Sequence, residues 1–182
     1  MAAPLKRRTL VMGGVAIAAG AAGVGAAFTW RNENVDKDIE RLDAGFWSAE
    51  FDRPDGGKFD LAAFQGKPLL LNFWATWCPP CIEELPMIDR FFAEQAINGW
   101  QVVGMAVDQR PAVEKFLSRM PVAFPVGITG LAGTELMKRL GNAAGGLPFT
   151  LVVSSAATIA ARKMGKLVAA DLDAWRRAQL HS

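Results

Sequence analysis

Apolar and polar positions alternate between two rhythms along this chain. Residues 69–74, Leu-Leu-Leu-Asn-Phe-Trp, are apolar except for Asn72 and read as a buried strand. After Cys81, the residues Ile82, Leu85, Ile88 and Phe92 recur at helical spacing, which predicts a helix over 81–96 with Pro86 inside it. Residues 101–107 read as the next strand. A helix follows from Pro111, well placed in a first turn, to about Met120. Residues 124–128 are a short strand or a loop. Residues 131–140 carry apolar Leu131, Leu136, Met137 and Leu140 and stop at Gly141, a helix terminator. Residues 149–153 and 158–164 read as an antiparallel pair, and 172–180 as a closing helix. Upstream, 46–51 and 58–61 flank Asp52-Arg53-Pro54-Asp55-Gly56-Gly57, turn-forming residues that predict a small hairpin at a sheet edge. Strands alternating with helices and ending in a hairpin and a helix argue an α/β fold, a mixed sheet with helices on both faces.

Residues 1–30 follow neither rhythm. Lys6, Arg7 and Arg8 precede 19 uncharged residues, Leu10 to Phe28, which as a helix span about 28 Å, close to a bilayer's hydrocarbon thickness. The basic side holds the N-terminus in the cytoplasm and sends the rest across, so this is a signal peptide or a transmembrane anchor. Twelve of the 19 residues are Gly or Ala, and 19–27 offer small-residue cleavage sites. Arg7-Arg8 also resembles a twin-arginine signal. The segment 31–44 is charged, with Val35, Ile39 and Leu42 at helical spacing, and reads as a linker or a short helix. The remainder, 45–182, is long enough for one globular domain.

Charge adds an exclusion. The chain has 20 basic and 18 acidic side chains, and three of the basic ones lie in the leader. The domain is therefore near neutral, with no basic patch for nucleic acid. The single histidine, His181, leaves a zinc site of cysteine and histidine without its third and fourth ligands, and no metal or cofactor is implied.

Cys78 and Cys81 are the only cysteines, and they lie between the strand at 69–74 and the following helix. There the unpaired backbone N–H groups and the positive end of the helix dipole favour an anionic sulfur, so Cys78 is expected below the free thiol pKa of about 8.5. Pro79 and Pro80 fix φ in a first turn that tolerates them. Beyond the inner membrane such a pair is not kept reduced by cytosolic thiols, so it acts as an oxidant or is recharged by a reductant.

The stretch Asn72-Phe73-Trp74-Ala75-Thr76-Trp77-Cys78-Pro79-Pro80-Cys81, with Gly66-Lys67-Pro68 before it, Glu84 and Pro86 after it and Gly146-Leu147-Pro148 before the late strand, resembles the thioredoxin superfamily. Within it the resemblance is to the exported TlpA/ResA-like thiol-disulfide oxidoreductases, over about 45–182. The resemblance implies a thioredoxin-like fold and a redox-active disulfide of Cys78 and Cys81. It makes Pro148 a cis-proline facing the cysteines, with Leu147 offering backbone hydrogen bonds to an extended substrate; Trp77 and Pro79 complete the substrate-binding surface. Trp74 fits a core position better. The acid that thioredoxin buries in the strand before the motif is replaced by Asn72. Glu84, three residues after Cys81 on the same helix face, is the alternative proton acceptor and the third catalytic residue. Glu83 reads as a first-turn acid complementing the dipole, and Asp108 as a strand-end residue that caps a loop or serves the site.

The resemblance implies a disulfide reductase on the periplasmic side of the bacterial inner membrane, anchored by the N-terminal segment or released after its cleavage. Electrons would come from a membrane thiol transporter of the DsbD/CcdA type, and clients would be exported proteins such as apocytochrome c or copper-site proteins. Two rivals stand beside it. A DsbA-type thiol oxidant lacks room here for that family's inserted helical domain, and a metallochaperone or binding module on the same fold lacks the histidine ligand.

Overall fold

The computed structural model describes residues 40–179. The proposed leader at 1–30, most of the linker at 31–44 and His181 lie outside them. Of the two units into which the chain divides, Met1–Glu40 and Arg41–Ser182, the second carries the elements that follow. Among the described residues no helix is long and apolar enough to cross a membrane.

The elements in order are α1 (Ala44–Trp47), β1 (Glu50–Asp52), β2 (Lys58–Asp60), a 3-10 turn (Leu61–Phe64), β3 (Leu69–Trp74), α2 (Pro79–Gln95), β4 (Gln101–Ala106), α3 (Arg110–Leu117), β5 (Val126–Ile128), α4 (Ala132–Arg139), β6 (Phe149–Val153), β7 (Ile159–Met164) and α5 (Ala169–Gln179). One seven-stranded sheet has the order β2-β1-β5-β4-β3-β6-β7. Strands β3, β4 and β5 run parallel, while β6 and β7 are antiparallel additions and the β1–β2 hairpin closes the other edge. This is the mixed sheet expected from the sequence, and the 124–128 ambiguity falls to a short strand.

Strand β3 is buried along its whole length, and its period of two divides it between two cores. Leu69, Leu71 and Phe73 join Phe149, Leu151, Leu136 and Met137 on one face. Leu70 and Trp74 join Leu85 and Ile88 of α2, Val113 of α3 and Leu172 of α5 on the other. Each fully buried aliphatic side chain contributes about 1.5–3 kcal/mol relative to exposure, so these two layers hold β3 in place from both sides. The same alternation aims Asn72, between Leu70 and Trp74, at α2.

Two details at the start of the fold differ from the sequence reading. Phe46 does not begin a strand. The Asp43 carboxylate accepts a hydrogen bond from Phe46 N–H at 2.8 Å and caps α1, which turns Phe46 and Trp47 into the core as an edge-to-face pair 5.0 Å apart. The core also reaches back to Leu42, a residue of the segment read as linker.

Candidate active site

Cys78 is the N-cap of α2, with Pro79 and Pro80 in the first turn. Its carbonyl accepts from the N–H groups of Cys81 and Ile82, 3.1 and 3.2 Å away, so the two cysteines are one helical turn apart. They form a disulfide with S–S 2.08 Å and Cα–Cα 5.3 Å. Cys78 keeps 5% of its surface in contact with solvent and Cys81 none. Of the two cysteines, only Cys78 keeps any solvent contact.

The loop before Cys78 is fixed from β4. Asp108 accepts from Thr76 N–H at 3.0 Å and from Thr76 Oγ1–H at 2.6 Å, across 32 residues of sequence. The other Asp108 oxygen accepts from Gln109 N–H at 2.7 Å, at the start of α3. A charge-assisted pair of bonds to one loop residue is stronger than neutral ones and anchors the loop that leads to Cys78. Trp77, beside Cys78, is exposed, whereas Trp74 is fully buried.

On the other side of the pair the Leu147–Pro148 peptide is cis. The turn that delivers it is held by Asn142, which is buried and donates to Gly146 O at 2.8 Å, while Gly145 N–H donates to Asn142 O at 2.9 Å. Gly145 has φ +64°, a left-handed conformation that a side chain disfavours. Pro148 O in turn accepts from Gly165 N–H at 2.9 Å, which ties the end of β7 to this loop.

Behind Cys81 lies a buried polar cluster. Asn72 Nδ2 donates to Glu84 Oε1 at 2.8 Å and to Thr150 Oγ1 at 3.0 Å. Asn72 and Thr150 face each other directly in the β3–β6 register, which explains their meeting. Glu84 Oε2 accepts from Leu167 N–H at 2.7 Å. Leu167 is itself buried in the α2-side core, so the backbone donor is held in place by packing. Glu84 is fully buried, and burial pushes its carboxyl pKa above the ordinary 4.5. The bonds from Leu167 and Asn72 and the nearby Lys166 charge oppose this, without cancelling it. Glu83, the neighbouring acid, is exposed and pairs with Lys166. A surface pair of this kind contributes at most about 1 kcal/mol.

The sign of the Glu84 effect on stability follows from linkage. A carboxyl whose pKa rises on folding binds its proton more tightly in the folded state, so stability falls as pH climbs from the ordinary value through the raised one. Glu84→Gln removes that titration. Denaturant unfolding from about pH 4 to 8 is expected to show the variant gaining on the native protein as pH rises. Parallel profiles would mean that burial does not govern this carboxyl.

The structure thus gathers Cys78, Cys81, Trp77, Pro79, Leu147 and Pro148 at one end of the sheet, with Glu84 behind them. Thr150, Asn142, Thr76 and the backbone of Leu167 were not singled out from the sequence.

The sequence profile described as Redoxin matches residues 44–174. The thiol-disulfide oxidoreductase ResA of Bacillus thuringiensis subsp. konkukian is 34% identical over 88 residues, 48% of this chain and 50% of that protein. ResA of Bacillus anthracis is 26% identical over 141 residues, 76% of this chain and 79% of that protein. The chain therefore spans about half the length of the first of these relatives. Among solved structures, a thioredoxin-family thiol:disulfide interchange protein from Chlorobium tepidum superposes with a TM-score of 0.67 at 27% identity, covering 79% of this chain and 99% of that one. The fold is thioredoxin-like, and the resemblance read from the cysteine motif is borne out.

Proposed function

This chain belongs to the Redoxin family, and on that premise we propose that it is a thiol-disulfide oxidoreductase that reduces disulfides of extracytoplasmic proteins. The observation that carries the reading is the Cys78–Cys81 disulfide at the tip of α2 with a fully buried carboxylate, Glu84, one turn further along the same helix.

In the reduced protein Cys78, as thiolate, attacks one sulfur of a client disulfide. The client's other sulfur leaves as a thiol, and a mixed disulfide joins Cys78 to the client. Cys81 gives up its proton and attacks Cys78 Sγ, which releases the client's second thiol and re-forms the Cys78–Cys81 bond. Glu84 takes the Cys81 proton, directly or through a water, because Asn72 is an amide and has no capacity for it. Leu147 and Pro148 flank the pair and receive the client backbone, and Trp77 and Pro79 complete the contact surface.

The leader at residues 1–30 supports placement on the periplasmic side of the inner membrane, anchored or released after cleavage. Recharging then comes from a membrane thiol transporter of the DsbD/CcdA type. A turnover assay tests the activity: with dithiothreitol as electron donor and a peptide disulfide as substrate, the full-length protein accelerates reduction beyond dithiothreitol alone. A rate equal to that of dithiothreitol alone would refute it. An alkaline phosphatase fusion after residue 45 is active if the domain is exported and silent if it is not.

A further inference from the structure

Three buried polar side chains, Asn72, Glu84 and Thr150, meet behind Cys81, and the hydrogen bonds among them do not close. Asn72 Nδ2 has two hydrogens, and both are used: Glu84 Oε1 accepts one at 2.8 Å and Thr150 Oγ1 the other at 3.0 Å. The amide oxygen is left over. Among the described residues Asn72 Oδ1 is buried and accepts no bond. Leaving a buried acceptor unpaired costs more than an ordinary hydrogen bond returns, so something must impose this orientation. The ionised carboxyl of Glu84 does so, because an amide oxygen turned toward it at the same distance would be repelled.

All three side chains can change sides. A carboxyl accepts when ionised and donates when protonated, and a threonine hydroxyl does either by rotation. Turned by half a circle about its last side-chain bond, Asn72 presents Oδ1 where Nδ2 stood. Oδ1 then meets a donor on each hand if Glu84 carries a proton, and a repulsive oxygen if it does not. Each orientation leaves one end of the amide unpaired, so the state of Glu84 decides between them. Leu167 N–H occupies Glu84 Oε2, which leaves Oε1 to carry the proton toward Asn72. Burial holds the Glu84 pKa up, which favours the protonated carboxyl. The titratable or charged groups around it are Cys81 and Glu83 on α2 and Lys166 in the following loop, where Lys166 pairs with Glu83. Asp171 of α5 is engaged by Lys163, and β3 and β6 contribute the neutral Asn72 and Thr150.

We propose that the Asn72 carboxamide turns over as Glu84 takes the Cys81 proton, so that Oδ1 accepts from Glu84 and from the Thr150 hydroxyl, and that Asn72 and Thr150 are positioning residues of the second step. The inference rests on the oxidoreductase reading and deepens it at the same site. Cys81 loses its proton to Glu84 Oε1, its sulfur bonds to Cys78 Sγ, and the bond from Cys78 to the client breaks. The client sulfur keeps that electron pair and takes a proton from water. Turning gives the new Glu84 O–H an acceptor. When a donor thiol next reduces the pair, Glu84 returns the proton to Cys81 and the amide turns back. An apolar isostere at 150 harms the two orientations unequally: with Glu84 ionised one Nδ2 hydrogen is left unpaired, whereas with Glu84 protonated Oδ1 keeps the Glu84 bond.

Single-turnover kinetics of the reduced full-length protein with a peptide disulfide, in Thr150→Val and Thr150→Ser, test this. In Thr150→Val the rise of the second step with pH is expected to move to higher pH. At the native midpoint that step is then about three- to fivefold slower, the effect of one ordinary hydrogen bond on the ionised fraction. Thr150→Ser keeps the hydroxyl and the native profile. A rise that stays in place in Thr150→Val, as an amide fixed in one orientation requires, overturns the proposal, and so does a serine variant that behaves as the valine one. Nuclear magnetic resonance of the native protein needs no variant. The Asn72 amide hydrogens are expected to show Overhauser contacts with Thr150 and the Glu84 side chain while Glu84 is ionised, and weaker ones once it is protonated. Contacts of equal strength across the Glu84 titration overturn the proposal, as does a Glu84 that gains no proton. Any of these results leaves the oxidoreductase reading in place when the peptide disulfide is still reduced. Failure to reduce that disulfide overturns the reading and the proposal with it.

Discussion

Cys78→Ser is expected to reduce client-disulfide turnover to the background rate, whereas Cys81→Ser leaves the first attack intact and accumulates a mixed disulfide. The asymmetry comes from position on α2. Cys78 is the N-cap, where unpaired N–H groups and the helix dipole stabilise a sulfur anion. It also retains the pair's only solvent-exposed surface, while Cys81 is closed off under the first turn. An incoming client sulfur therefore meets Cys78 first, and only Cys81 is placed to attack from behind. Intact-mass analysis after incubation with a single-cysteine peptide disulfide reads both outcomes. The Cys81→Ser protein gains one peptide on Cys78, and the Cys78→Ser protein gains none. A stable adduct on Cys81 would exchange the two roles.

Glu84→Gln is expected to slow the second step by about 100-fold, the low end of general-base effects, with the first step nearly unchanged. Cys81 has no solvent contact through which to lose a proton, and Glu84 is the carboxylate that follows it on the same face. The bonds from Asn72 and Leu167 hold the two carboxylate oxygens from opposite elements, β3 and the loop before α5. Because burial raises the Glu84 pKa, the base is deprotonated only above that raised value, and the native second step accelerates as pH passes through it. The variant lacks this rise, which is read from mildly acidic pH up to the ordinary thiol range. Single-turnover kinetics across this range separate the two steps. Native rates throughout would make Glu84 a structural acid that stitches α2 to β3 and the 164–168 loop.

Much of this architecture was legible in the sequence because local patterns and tertiary demands agree. The run at 69–74 is apolar on both faces because both faces of β3 are buried. The cysteines, Pro79 and Pro80 lie where a helix start tolerates them, and α2 begins at Pro79, two residues before the apolar periodicity announces it. What escaped has physical reasons. Helix α1 is four residues long and depends on a side-chain cap from Asp43, too short for any period to show. Thr150 lies 78 residues from Asn72 and becomes its partner only through strand register. The donor from Leu167 is a backbone N–H, 83 residues from Glu84, and no side-chain pattern advertises it. Asp108 stood out as a strand-end acid, but its grip on Thr76 depends on β3 and β4 being parallel neighbours. Leu131 misled for the opposite reason: it read as part of a helix's apolar stripe, yet it precedes α4 and faces solvent.

The claim on which the rest depends is that Cys78–Cys81 is an exchanging disulfide and not a structural staple. Equilibration of the full-length protein in dithiothreitol or glutathione redox buffers, with the oxidised fraction read by alkylation and mass, gives its reduction potential. The account predicts a value within the range of dithiol oxidoreductases, about −120 to −270 mV, and on the reducing side of about −180 mV. A potential below about −300 mV, where structural disulfides lie, would contradict it.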